Sequence, residues 1–358
     1  MIRTSHANLD SWTSAQRMAA VREGHKPDRV PLLGFVNAYA ARISNVPLDV
    51  HYAHPEISVR NQILAADLHG YEFAPAFGWA DWGAWEFGGR LQYPTSYRES
   101  APHTLESPVS APGDVEKIQV PDVRNAGCYP NLMQFNRICR DMGFGAKILG
   151  GSVTNVVGAM VGKQNLLRWY RKEKEALHLA YDKAAELIIR GADLVIEEFG
   201  AEASFGYGAP LDSNDLISPE VFETFAWPRL KQVHQAMLDR GITRFGAHIC
   251  GDHRENLPLW AALPWPDRST ISVGAEMDLE HVAEAFDHRH IVAGNVSTSI
   301  LASGTYQEVM DDARRCIEKG KNLPGGFALM PACEMPVLTP PVNVHALIAA
   351  VREYGRYE

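Results

Sequence analysis

The chain predicts an α/β fold, a (β/α)₈ TIM barrel, and three observations carry that prediction. Apolar runs the length of strands alternate with amphipathic stretches the length of helices, the pattern of a parallel sheet covered by helices. Eight such runs can be counted, the number a closed barrel needs. The 358 residues exceed most single domains but suit one barrel with insertions.

The elements follow in order. After an N-terminal helical extension come RVPLLGFV (29–36) and YEFAPAFG (71–78), separated by PEISVRNQILAADLHG, which opens on Pro and ends on Gly as helices do. From about Gly78 to Asn125, Gly, Pro and aromatic residues interrupt the rhythm. Residues 78–125 therefore read as a lid or hairpin inserted after the second strand, and 1–358 as one domain. The alternation resumes with the helix CYPNLMQFNRICRDMG and the strand AKILGGSV (146–153). KEKEALHLAYDKAAELIIRG reads as a helix closed by Gly191, followed by a fourth strand, ADLVIEEFG (192–200). SPEVFETFAWPRLKQVHQAMLDRG leads into TRFGAHICG (243–251); STISVGAE (269–276) and HIVAGNVS (290–297) come next. The helix TYQEVMDDARRCIEKG precedes the last strand, GFALMPAC (326–333).

Composition narrows the function. At 46% hydrophobic and 22% charged residues the chain can bury a large core, and disorder is not its main feature. A formal charge of -9 argues against gripping a phosphate backbone. MIRTSHANLDSW carries no apolar leader core, and no run approaches the roughly 18 apolar residues of a membrane span. A cytoplasmic protein that binds neither nucleic acid nor membrane is expected. The five cysteines (128, 139, 250, 316 and 333) are an odd number thinly spread, so reduced thiols are expected and not a disulfide framework.

Two of those thiols fall where a barrel builds its site. His248 and Cys250 end the fifth strand and Cys333 ends the eighth, so all three face the mouth formed by the C-terminal strand ends. Residues two apart on a strand project to one side, which lets His248 and Cys250 reach a common ion. One imidazole and two thiolates suit Zn²⁺, and three protein ligands leave its fourth position open. A lone cysteine is more often a small buried hydrophobe, the reading that fits Cys128, Cys139 and Cys316 on helices. Carboxylates expected at strand ends, Glu198, Glu276 and Glu334, are candidates for the remaining position or for acid–base work, Glu276 first. Glu197 and Glu198 would point to opposite faces of their strand, so at most one faces inward.

The segments HICGD, ISVGAEMDL, IVAGNVSTSILASGTYQEV and GGFALMPACEMPVLTPPVNVHALIAAVREYG resemble the uroporphyrinogen decarboxylase superfamily, and more narrowly its zinc-dependent, corrinoid-linked methyltransferase branch. REGHKPDRVPLL and ISPEVFETFAWPRLKQV extend the resemblance over nearly the whole chain. The branch is marked by a His-x-Cys pair and a late Cys, which match His248, Cys250 and Cys333. The resemblance implies a barrel and a methyl group moving to or from the cobalt of a cobalamin carried on a separate corrinoid protein. That protein would dock transiently over the barrel mouth; a homodimer is also compatible. Two departures stand out. True decarboxylases carry an Arg-rich segment after the first strand, where this chain has GFVNAYAARIS with only Arg42 nearby, so decarboxylation is the least favoured activity. Related thiol-methylating enzymes place a carboxylate near the end of the sixth strand, where Ala275 stands here, with Glu276 offset by one.

Two reactions suit a three-ligand zinc. A thiol could join the metal, lose its proton and attack a cobalt-bound methyl group, or the metal could polarise an ether oxygen so that cobalt takes the methyl and a phenolate leaves. The cluster Trp79, Trp82, Trp85 and Phe87 after the second strand reads as an aromatic lining, with Trp79 and Trp82 the first candidates for substrate contact. Asn37, Asn155 and Asn295, at strand ends, are candidates for orienting it. With few cations at the strand ends to clamp a sulfonate, a methoxylated aromatic donor is ordered first, as in an O-demethylase, and a thiol acceptor second.

Overall fold

The computed structural model describes residues 10–357. Residues 1–9, on which most of the leader-free reading of the N-terminus rests, lie outside the described part.

Six strands form one all-parallel sheet in sequence order: β3 (Lys147–Leu149), β4 (Ser204–Gly208), β5 (Arg244–Ile249), β6 (Thr270–Val273), β7 (Ile291–Val296) and β8 (Phe327–Pro331). A separate antiparallel hairpin, β1 (Arg90–Gln92) with β2 (His103–Glu106), sits within the stretch expected as a hairpin insertion. Single parallel bridges continue the large sheet: Leu32 pairs with Leu329 of β8, and Leu33 with Glu72. Their bonds, Leu33 N to Leu329 O, Leu329 N to Pro31 O and Glu72 N to Leu32 O, are each 2.8 Å. The ring order of a barrel is thereby completed on every seam but one. Between the Glu72 segment and β3 no ladder joins the described residues, and apolar contact lines the gap instead: Phe73 meets Phe144 edge-on at 5.7 Å, and Leu149 fills the space beside Gly78.

The first two expected strands shrink to bridges for a local reason. Pro31 and Pro75 have no N–H to give to a ladder, and the Leu32 N–H is taken by the Glu72 carboxylate. That carboxylate belongs to a buried ionic cluster at the base of the barrel, where Arg17 of the N-terminal helix Ser14–Glu23 meets Asp28 at 2.7 Å and Glu72 at 2.5 Å, and Arg29 meets Asp10 and Glu72. The helix itself opens on a Thr13–Gln16 capping box and closes on left-handed Gly24.

The fourth expected strand is corrected. ADLVIEEFG is the last third of one helix, Lys174–Phe199, and the strand is the next segment, SFGYG. Gly191 is no stop signal there: the Tyr129 ring, whose hydroxyl donates to Leu187 O at 3.2 Å, lies where a Cβ would be, so the glycine permits a close approach. Leu187, Ile188, Gly191, Ala192, Leu194 and Val195 are buried, which is the helical period carried straight through.

The other expected helices form at Pro55–His69, Tyr129–Asp141 and Tyr306–Gly320. The stretch from Ser218 is helical in three joined pieces, with a π turn at Phe222–Ala226 just before Pro228, whose missing N–H an α-helix cannot accommodate. Among the described residues no helix is long and apolar enough to cross a membrane.

Two faces of the sheet can be told apart. On β5, Phe245 packs on Trp265 and on His234 of helix Trp227–Asp239, so Phe245, Ala247 and Ile249 face the helices and Gly246 and His248 face inward. Ala293, Ala328 and Met330 form an inner cluster with Leu33 and Phe35, and Phe35 reaches across the ring to meet His248 edge-on at 5.8 Å.

Candidate metal centre

β5 delivers His248 to the inner face of the mouth, level with Gly208 of β4 and Ser272 of β6. The strand ends one residue later, and Cys250 and Gly251 begin a turn. Gly251 has φ +90° and Ser213 Oγ 2.7 Å from where a Cβ would stand, so this position requires glycine. Ser213 Oγ and Asn214 N both donate to Asp252 O, and Asn256 Nδ2 donates to Asp212 O, so the loop after β4 clamps the one after β5. β8 ends at Pro331 and brings Cys333 to the same place.

One ligand atom each from His248, Cys250 and Cys333 lie within 4.8 Å of one another. The imidazole is set for coordination. His248 Nδ1 lies 3.0 Å from Ser272 Oγ, which itself reaches Ala247 O at 3.3 Å. A carbonyl only accepts, so both contacts are satisfied together when the Ser272 proton goes to Ala247 O and Nδ1 donates to Oγ, the tautomer a metal ligand needs. The lone pair is then on Nε2, which is buried with no hydrogen-bond partner. That uncommitted atom, facing two sulfurs, is the test of fit: the donor set is borderline-soft and suits zinc. The hydrogen bond from Cys250, with His248 beside it, holds Cys333 below the ordinary thiol value, while the same bond and burial push Cys250 above it. Cys128, Cys139 and Cys316 are buried elsewhere and free.

The carboxylates divide. Glu276, exposed, places Oε2 against Gly274, and its charge opposes ionisation of Cys250; it stands next to the cluster, outside its 4.8 Å group. Glu334 follows Cys333, accepts the Ala38 N–H at 3.1 Å and is raised to about 7 by burial. Glu198 is a correction: it lies on helix Lys174–Phe199 and pairs with Arg137 at 2.7 Å and with Arg140, while Glu197 pairs with Arg124. Its assignment rested on a strand end that does not exist.

The expected substrate contacts are mostly absorbed by packing. Trp82 is 3% exposed, lying over Gly151 with its edge to Tyr129, and Trp79 is 9% exposed against Tyr52 and Phe77. Asn155 ties the insertion to the loop after β4 through Ala80 O and Leu211 N. Asn295, fully buried, donates to Gly274 O and Met277 O. Asn37 retains a free Oδ1, which with the unpaired Trp79 Nε1 lines a cavity of about 10 Å³, room for about one water. Sequence reasoning missed Ser272, whose signal was its inward position one strand over from His248. It also missed His253, three residues past Cys250 in a segment already singled out.

Comparison with known proteins adds the following. The sequence profile of the family described as uroporphyrinogen decarboxylase (URO-D) matches residues 13–354. A methylcobamide:CoM methyltransferase of Methanosarcina barkeri (strain Fusaro) is 25% identical over 357 residues, which is 97% of this chain and 99% of that one. A methylated-thiol–coenzyme M methyltransferase of Methanosarcina mazei is 24% identical over 201 residues, 55% of this chain and 50% of that one. Among solved structures, a methyltransferase from Methanosarcina mazei superposes with a TM-score of 0.80 at 23% identity, covering 96% of this chain and 99% of that one, a likeness of fold.

Proposed function

The chain belongs to the uroporphyrinogen decarboxylase family, and from that premise we propose that it is a zinc-dependent methyltransferase working between the corrinoid of a partner protein and a thiol. The observation that carries this reading is the convergence of His248, Cys250 and Cys333 within 4.8 Å, with His248 Nε2 buried and without a hydrogen-bond partner. Three ligands leave room for an incoming group, as catalytic zinc sites do.

Zinc held by these three side chains would supply Lewis acidity, so that a thiol joining them ionises near neutral pH. The rest is the work of the chain. Ser272 keeps the His248 lone pair aimed at the sulfurs, and Gly251 gives the turn that lets Cys250 double back toward Cys333. Glu276, exposed beside Cys250, is the carboxylate we assign to take the thiol proton to solvent. The inward face, walled by Phe35 and Met330, keeps the floor of the site apolar, which favours a methyl group over water. The corrinoid protein would approach over the C-terminal strand ends, with residues 78–125 at their rim.

The order of the two methyl-transfer reactions is the reverse of the sequence expectation. The aromatic cluster offered as a lining for a methoxylated donor is spent on packing, with Trp79 and Trp82 buried, and the curated relatives are named for transfer to a thiol, which outweighs the scarcity of cations that had placed the thiol second. The thiol is left unspecified: Arg42, the cation nearest the first strand end, is committed to the carbonyls of Val337 and Thr339. The same commitment argues against a grip on tetrapyrrole carboxylates.

The test is spectroscopic. Zinc-loaded protein with methylcobalamin and a simple thiol such as 2-mercaptoethanol should discharge the methyl–cobalt spectrum. Methylation of reduced cobalamin by guaiacol, with no turnover of any thiol, would restore the O-demethylase reading.

A further inference from the structure

His253 is fully buried, yet both ring nitrogens have partners that can play only one role. Nδ1 lies 3.1 Å from Trp260 Nε1, and an indole N–H can only donate, so Nδ1 carries the lone pair. Nε2 lies 3.1 Å from the carbonyl oxygen of Cys250, which can only accept, so Nε2 carries the proton. The tautomer is fixed by its surroundings, and what it holds is the peptide of a metal ligand. Its backbone N–H reaches Met277 Sδ at 3.3 Å, in the segment that follows β6.

Trp260 is equally constrained. It packs on Phe222, the first residue of the π turn, with ring centroids 5.0 Å apart; it stacks on Tyr207 of β4 at 6.3 Å; and its carbonyl accepts Trp265 Nε1 at 2.8 Å. A continuous packed path thus runs from the outer helix layer through Trp260 and His253 to Cys250. An apolar side chain would fill this volume as well, but it would strand the indole N–H and release the carbonyl, leaving two buried polar groups unpaired.

We infer that His253 is a positioning residue of the metal centre: by fixing the Cys250 carbonyl it fixes the rotation of that peptide, and with it the direction of Cys250 Sγ toward His248 and Cys333. The inference rests on the reading that these three side chains hold zinc. Ligand orientation through outer partners is worth about 10–100-fold in metal affinity.

The test uses the full chain and no methyl donor. Zinc affinity is measured by competition with a chelator, and ligand geometry by the thiolate charge-transfer and d–d bands of the cobalt(II)-substituted protein. His253→Leu should bind zinc about 10–100-fold more weakly, with shifted cobalt bands. His253→Gln, which can donate to Cys250 O and accept from Trp260, should recover most of the loss. Trp260→Phe keeps the ring and removes the lock on the tautomer; it should weaken zinc to a smaller degree and stands in if the leucine variant does not fold. Wild-type affinity and spectra in both His253→Leu and Trp260→Phe would overturn the inference, and so would a folded glutamine variant as impaired as the leucine one. Wild-type protein that takes up no zinc would instead overturn the proposed function, which separates the two failures.

Discussion

Ser272 contributes no ligand, yet its hydroxyl decides which nitrogen of His248 faces the sulfurs. Ser272→Ala should therefore lower zinc affinity about 10-fold or more while leaving the fold intact, measured by chelator competition alongside circular dichroism. Cys333→Ala removes one of the three proposed ligands, and metal analysis of that variant should find little zinc; full retention would remove the basis of the centre. The triad was legible in the sequence because strand ends of a barrel converge; the strand alternation expected to align His248 with Cys250 stops at Ile249, and the turn at Gly251 brings Cys250 round instead. Trp79 and Trp82 were not read correctly for the opposite reason. Position after a strand says that a ring is near the mouth, but not whether it points at substrate or, as here, down onto Gly151 and Tyr52.

Between residue and fold, the element that misled is the helix Lys174–Phe199. A glycine followed by the apolar run ADLVI has the outline of a stop and a strand, and only the Tyr129 ring, 62 residues earlier in sequence, gives Gly191 its other meaning. Gly191→Ala is a direct check. Helix propensity alone would favour alanine by about 1 kcal/mol, whereas overlap with the Tyr129 hydroxyl and ring should cost about 1–3 kcal/mol. Denaturant titration should show a net loss of stability; a gain would mean that the ring yields freely. Glu198, displaced from the site by the same correction, sits in surface ion pairs worth about 0–1 kcal/mol. Glu198→Gln should leave zinc binding and methyl transfer unchanged.

Buried histidines set how the whole molecule responds to pH. His51, His69 and His290 are lowered to about 4 and His234 to about 3, burial being the leading cause in each. Each then binds fewer protons folded than unfolded between its own value and about 6.5, so their contribution is complete above about pH 6.5 and drains as pH falls toward 4. Asp212 works the other way. Burial raises its carboxyl to about 7 despite bonds from Ser152 and Thr154, so between about 4 and 7 the folded chain keeps a proton that the unfolded chain has released, and stability falls as pH rises. Glu334, also raised to about 7 by burial, acts in the same sense as Asp212, but four imidazoles outweigh two carboxyls, and denaturant midpoints should fall from pH 7 to pH 5. Asp212→Asn should raise the midpoint at pH 8 and change it little at pH 4. A flat profile would contradict the burial of these imidazoles.

The barrel order itself was legible, since five of the eight expected strands stand where apolar runs were counted and two more survive as bridges. What the sequence withheld was which runs form ladders, because Pro31, Pro75 and the Glu72 carboxylate remove donors that composition alone does not subtract. The ionic cluster that claims Glu72 has one more consequence. Asp10 also binds Arg352, at 3.2 Å, and Tyr357 N reaches Asp28 O at 3.3 Å, so the first and last described residues are moored side by side beneath the strands. Asp10 and Tyr357 therefore both lie on the side of the sheet facing away from the candidate metal centre. A short linker from Tyr357 back to Asp10, with new ends opened in a distant loop, should give a circular permutant that still folds, and a reporter attached beside either of these residues should hang clear of any protein settling on the mouth.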